Sequence, residues 1–109
     1  MNGVSQQQIA QFKRWRGLIM GYVYQGLHAQ ASRLDDLTLL GMLRDFGHSG
    51  VGLNHVRALL IELRDANYLR FRAEKNDWSG ETEISQIEIT AVGCKLLEKV
   101  VRDESVQIL

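Results

Sequence analysis

The apolar residues of this 109-residue chain change their spacing from helical to alternating and back to helical. They recur every three to four positions in the first three segments, which is typical of amphipathic helices. Leu69 and Phe71 then alternate with arginines, and Ile87 and Ile89 alternate with polar residues, as in an antiparallel hairpin. The order predicts a mostly helical α+β domain with helices at 6–31, 37–46, 53–66 and 91–103 around strands within 68–90.

Size and charge restrict the class of protein further. The chain is long enough for one core, so we expect a single domain over 1–109. Thirteen basic and thirteen acidic side chains balance, which excludes a polyanion binder driven by global charge. The one cysteine, Cys94, excludes an intramolecular disulfide. No signal peptide and no membrane-length apolar run are visible, so we expect a cytoplasmic protein.

The segment from Leu39 to Phe71 resembles winged helix-turn-helix proteins. Their third helix carries the pattern Val-x-x-Leu-Leu-x-x-Leu, which here runs from Val56 to Leu63 and leads into a hydrophobic strand. The later run from Ile89 to Glu98 resembles the Leu-Thr-x-x-Gly-x-x-Leu-Leu sequence that follows the wing in many bacterial regulators. Under this resemblance the elements predicted from residue spacing become a long N-terminal helix at 6–31, a helix-turn-helix at 36–66, a two-stranded wing at 68–90 and a C-terminal helix at 91–103.

A narrower resemblance links the chain to a family of small winged-helix proteins encoded by Mu-like phages and prophages. The similar features are the arginines before Leu18, the Phe46-Gly47-His48 turn and the Val56-Arg57 pair that opens the third helix. The resemblance implies a phage context rather than an activity.

The third helix has side chains suited to reading double-stranded DNA. Asn54, His55 and Arg57 lie near its N-terminus, where side chains of a recognition helix reach base edges first. Four more residues are expected to position the phosphate backbone: Ser49, Arg70, Arg72 and Lys75. Together with the winged-helix and phage-family resemblances, these side chains predict a DNA-binding protein, either a transcriptional regulator of phage or prophage type or a packaging-associated factor.

The distribution of charge favours an alternative. Residues 1–34 contain four bases and no acid, whereas residues 35–109 contain nine bases and thirteen acids. The wing region 74–83 has four acids and one base, and phosphates repel such a tip. The two oppositely charged halves can instead attract each other between subunits. The alternative function is a protein-interaction module in phage assembly or regulation that does not bind DNA.

The first helix is the expected dimerisation element, because its apolar sector is wider than one partner surface requires. We expect a homodimer with contacts from Trp15, Leu18, Gly21 and Tyr22. Gly17 and Gly21 are four residues apart, a spacing that lets a second helix approach the backbone closely and so favours self-association. The alternative is that this face is solvated and that the two glycines only lower the stability of the helix.

No constellation in the sequence indicates catalysis, so we expect no enzyme activity, no cofactor and no metal site. The three histidines and Cys94 match no zinc-ligand spacing. The tail 104–109 is expected to be loose, with docking of its apolar residues as the alternative. Trp78 lies in the acidic wing region, where it either contacts a protein or packs back onto the hairpin.

Overall fold

A computed structural model describes residues 5–28 and 34–108 of the chain. The order of elements is the predicted one, three helices, a hairpin and a helix, so the mostly helical α+β class is confirmed. The last residues of the predicted first helix, 29–31, lie outside the described residues. The elements are α1 (Gln6–His28), α2 (Asp36–Asp45), α3 (Leu53–Asp65), β1 (Leu69–Lys75), β2 (Thr82–Ile89) and α4 (Ala91–Leu97).

The core lies where α1 crosses α2, α3, α4 and one face of the hairpin. The buried side of α3 is the predicted one, formed by Val56, Leu59, Leu60 and Leu63. Every element contributes buried side chains because each carries an apolar face of the appropriate period. The rest of the core consists of Trp15, Ile19, Met20, Val23, Leu39, Leu40, Leu43, Val51, Leu69, Ile84, Ile87, Ile89, Leu96 and Val106.

Side-chain caps begin three of the helices. Ser5 and Gln8 cap α1 reciprocally, since each side chain accepts a hydrogen bond from the other's backbone N–H at 3.1 Å. Asp35 caps α2 by accepting from the Thr38 N–H at 2.7 Å, and Thr90 caps α4 by accepting from the Gly93 N–H at 3.0 Å. Serine, aspartate and threonine favour N-cap positions, so the sequence predicts these three helix starts, with Asp35 and Asp36 both eligible at α2. The structure uses Asp35.

The last helix ends at Leu97, six residues before the predicted end at 103. Lys99 adopts a positive φ of 63°, and its N–H donates to the Leu96 carbonyl at 3.1 Å. The Val100 N–H donates to the Lys95 carbonyl at 2.8 Å, which completes a Schellman motif. A lysine occupies the left-handed position that glycine usually takes, so the sequence carried no stop signal there.

The chain after α4 folds back over α1. The expectation of a loose tail is therefore wrong, and its alternative, docking of the apolar residues, is what the structure shows. The Gln107 N–H donates to the Lys13 carbonyl at 3.0 Å, and Val106 is buried in the core. A Cβ atom on Gly17 would overlap the carbonyl oxygen of Gln107. The close approach at Gly17 is therefore made by the chain's own tail, whereas Gly21 faces open space.

A β-bulge lets three isoleucines of β2 reach the core. Arg70 pairs with Glu88 but Arg72 pairs with Ser85, so β2 holds one extra residue. Gln86 has a positive φ of 53° at this point, and the phase of alternation changes so that Ile84, Ile87 and Ile89 are all buried. At the bulge the Ile87 N–H donates to the Leu34 carbonyl at 3.1 Å, which forms an isolated antiparallel bridge outside the two-stranded sheet.

Candidate functional site

The outer face of α3 is the surface predicted to contact DNA bases, and few of its polar side chains are without a partner within the chain. Asn54 is exposed in its first turn, as is Ser49 in the preceding turn. Beyond Asn54 the exposed side contains Ala58 and Ile61, the latter 40% exposed. The exposed polar residues that follow are in ion pairs, Glu62 with Arg16 and Arg64 with Asp65. Small and aliphatic side chains cannot form hydrogen bonds to base edges. They can only make apolar contacts with thymine methyl groups.

Arg57 is committed to contacts within the chain. Its Nε donates to Oδ2 of Asp36 at 2.8 Å and its Nη1 to Oε2 of Glu81 at 3.2 Å. The arginine side chain is 13% exposed and that of Asp36 only 4%. The hydrogen bond to Asp36 raises the pKa of Arg57 above its ordinary value. The sequence predicted a guanidinium free to read a base, and the structure instead uses it to join α3 to the start of α2.

Asp36 is the centre of this junction and was expected only to cap α2. Its Oδ2 also accepts from the buried N–H of Ile84 at 3.1 Å, which connects α2 to the hairpin. The carboxylate is 3% exposed and compensated by Arg57 and two backbone donors. The one signal in the sequence is the doubled aspartate, because Asp35 suffices as the cap and leaves the second carboxylate free for another role.

His55 supports the start of α3. Its Nδ1 accepts a hydrogen bond from the Gly52 N–H at 3.0 Å, so the helix cap uses the side chain that was expected to meet a base. The imidazole ring also packs on Trp15, with the ring centroids 5.4 Å apart, and on Phe12 at 6.4 Å. His55 is exposed on its other side, but its orientation is set by contacts within the chain.

Trp15 is a core residue rather than a surface contact. It is 2% exposed, and its Nε1–H donates to Nδ1 of His48 at 3.2 Å. The expectation that Trp15 contacts a second subunit is corrected, because its indole is enclosed by the chain's own α1, α3 and the α2–α3 turn. Leu18 and Tyr22 are half-buried against the same core.

Three of the four expected phosphate-contacting residues lie on β1, and two of these are paired with acids. Arg70 forms an ion pair with Glu88 at 2.9 Å, and Arg72 pairs with Glu74 in the same strand. Lys75 is exposed at the end of β1. Residues 53–89, which hold α3 and the hairpin, contain five bases and seven acids, a net charge of −2. This surface repels phosphates overall.

The turn of the hairpin holds Trp78 in solvent. Oδ1 of Asn76 accepts from the N–H groups of Trp78 at 2.8 Å and Ser79 at 3.1 Å. The Gly80 N–H donates to the Asn76 carbonyl at 2.8 Å, and Gly80 has the positive φ of 73° that this tight turn requires. Trp78 is 98% exposed, so the alternative of packing back onto the hairpin is wrong.

Further side-chain links join distant segments of the chain. Arg16 forms an ion pair with Glu62 of α3 at 2.8 Å and donates to the Ser105 carbonyl at 3.1 Å. The Tyr68 hydroxyl donates to Asp103 at 2.6 Å, and burial together with this hydrogen bond raises the pKa of Tyr68 to about 12. These links hold the tail in place, and their partners are too far apart in sequence for local patterns to pair them.

Across residues 5–28 and 34–108, no three metal-ligating side chains of His, Cys, Asp or Glu lie together. None of the described helices is both long enough and apolar enough to cross a bilayer.

Comparison with known proteins leaves the chain without an assigned relative. No protein-family model, curated protein or solved structure matches it.

Proposed function

We propose that the chain is a winged-helix domain that works as a protein-interaction module. The order of elements supports the winged-helix assignment, with α2 and α3 as the helix pair and the hairpin as the wing.

The observation that carries the interaction role is the exposed indole on an ordered turn. Trp78 is 98% exposed, and three hydrogen bonds within the turn fix the backbone that presents it. Tryptophan is enriched among residues that dominate binding energy at protein interfaces. A tryptophan on an acidic turn suits a protein partner with an apolar pocket and basic rim, and does not suit a phosphate backbone.

The contacts and the net charge of α3 also favour a protein partner over DNA. Arg57 and His55, two of the three expected base readers, have structural roles, and the net charge of α3 with the hairpin is −2. If Arg57 turned away from Asp36 to contact a DNA base, the buried Asp36 carboxylate would lose its counter-charge, which costs several kcal/mol. On the resemblance to small proteins of Mu-like phages, we assign the module to phage assembly or regulation.

A photo-cross-linking experiment tests the interaction role. A benzophenone amino acid replaces Trp78 in the full chain, expressed in the cells that encode it, and the same group replaces Leu37 as a control that is 58% exposed elsewhere. The expected result is a discrete adduct from position 78 that protease destroys and nuclease does not, with none from position 37. Adducts that nuclease removes, or equal adducts from both positions, would overturn the proposal.

DNA binding is the second candidate, and the exposure of Asn54 and Ser49 at the start of α3 favours it. Arg14 on the basic α1 is a further exposed cation. Gel retardation of duplexes from the encoding genome at low salt tests this function. Retardation that Asn54→Ala abolishes would establish a reading role for α3, and no retardation by the wild-type chain is the result that the interaction role predicts. Asn54 is the residue to change because Arg57→Ala disturbs the fold.

A further inference from the structure

We propose that the hairpin turn of one copy of this chain docks on the N-terminal half of α1 and the α2–α3 turn of a second copy. The inference rests on the proposed interaction role of Trp78 and names the partner.

The docking element is the turn around Trp78. Besides the exposed indole it presents Asp77, for which the structure shows no ion pair or hydrogen bond within the described residues. The segment 74–83 carries four acids and one base, a net charge of −3. An anchor of this kind needs an apolar surface for the ring and a cation beside it.

The receiving surface has both features. Helix α1 contains Lys13, Arg14 and Arg16 and no acid, a net charge of +3. Arg14 is exposed and has no acidic partner among residues 5–28 and 34–108. It lines a shallow groove along the first turns of α1 together with His48, and the other lining residues are Ser5, Gln7, Gln8, Ala10 and Gln11.

An exposed aromatic ring lies next to this groove. Phe46 is 65% exposed, and its ring stacks on His48 with an interplanar angle of 3° and a centroid distance of 6.4 Å. His48 is held in turn by the hydrogen bond from Trp15. The stack therefore gives an ordered apolar face beside Arg14, where the Trp78 ring of a second copy can pack while Asp77 meets the arginine.

The complementary charges argue for a second copy rather than an unrelated protein. The basic helix and the acidic turn belong to the same chain. Arg16 of the helix is paired with Glu62, and Glu74 and Glu81 of the turn are paired with Arg72 and Arg57. Arg14 and Asp77 have no partner within the chain among the described residues. The contact joins different surfaces on the two copies. It closes as a pair when each turn occupies the other's groove and otherwise extends as a chain of subunits.

Sedimentation of purified full-length variants at low and high salt tests the docking. The wild-type mass is expected to rise above 12.4 kDa with concentration, less so at high salt because exposed charges are screened. Trp78→Ala and Arg14→Glu should each weaken association about tenfold or more, whereas Arg102→Glu, an exposed charge outside both surfaces, should leave it unchanged. Circular dichroism checks that each variant is folded.

A mixture of the two variants distinguishes this docking mode from other modes of association. Trp78→Ala retains the groove and Arg14→Glu retains the turn, so an equimolar mixture should form a heterodimer at a concentration at which each variant alone is a monomer. A wild-type chain that stays at 12.4 kDa, or a Trp78→Ala variant that associates as the wild type does, would overturn the inference. A monomer whose position-78 cross-linker still captures another protein would leave the interaction role standing and refute only the choice of partner.

Discussion

The guanidinium of Arg57 and the carboxylate of Asp36 meet at 2.8 Å beneath the surface where α2, α3 and the hairpin join. Asp36 also accepts from the Ile84 N–H, and Arg57 also donates to Glu81. One buried ion pair thus fixes three elements relative to each other. It also removes from the outer face of α3 the cation that the sequence placed there.

Asp36→Asn is expected to destabilise the protein by about 3 kcal/mol, because Arg57 then loses its buried counter-charge and keeps only the exposed carboxylate of Glu81. Asp35→Asn is the matched control and should change stability little, since asparagine caps a helix about as well as aspartate. Urea unfolding followed by circular dichroism measures both. Equal midpoints for the two variants would show that the buried pair contributes nothing to stability.

Gly17→Ala and Gly21→Ala are expected to act in opposite directions. At position 17 the new methyl group overlaps the Gln107 backbone, so the tail must move and Val106 loses its buried contacts. At position 21 nothing lies within 4 Å, so alanine should stabilise α1 by roughly 0.5–1 kcal/mol through its higher helix propensity. Thermal unfolding checks the sign of each change, and a stabilising Gly17→Ala would refute the tail contact.

Lys99→Gly is expected to stabilise the protein by about 0.5–1 kcal/mol. Lys99 holds a φ of 63° after α4, a conformation that costs a lysine free energy and glycine almost none. Lys95→Gly inside α4 is the control and should destabilise by about 1 kcal/mol. If both glycines destabilise alike in denaturant titration, α4 does not end where the structure places its end.

The three tyrosines are expected to ionise above the ordinary phenol pKa of 10.0 in the folded protein. Burial, then the charge of Asp45, raises the pKa of Tyr22, and the hydrogen bond to Glu98 raises that of Tyr24. Burial and the Asp103 hydrogen bond raise that of Tyr68 to about 12. Tyrosinate absorbance measured against pH should therefore rise later in the native than in the denatured protein.

The sign of the accompanying stability change follows from the raised pKa of Tyr68. Its folded state binds the proton more tightly than the unfolded state, so its contribution to stability is full below pH 10 and is lost as the pH rises towards 12. Asp103 behaves oppositely. Hydrogen bonds from Ser105 and Tyr68 lower its pKa from 3.8, so its contribution is present above that pH and is lost as the pH falls through the lowered value. Tyr68→Phe should flatten the alkaline loss, and an unchanged slope would contradict the assignment.

Local patterns in the sequence determined the elements of this protein. The helical spacing from Val56 to Leu63 fixed the buried side of α3, and Ser5, Asp35 and Thr90 marked three helix starts. These features depend on residues a few positions apart, where propensity and capping act directly. The end of α4 was missed because Lys99 gives no local signal for a left-handed conformation.

Tertiary structure alone decided which polar side chains are free. Arg57 and His55 carry groups that suit base recognition, but Asp36 lies 21 residues from Arg57, and Trp15 lies 40 residues from His55. The phase shift of β2 and the tail over Gly17 are likewise set by long-range packing. Sequence patterns predict which face of an element is polar, whereas the partners that neutralise a polar group depend on how distant segments meet.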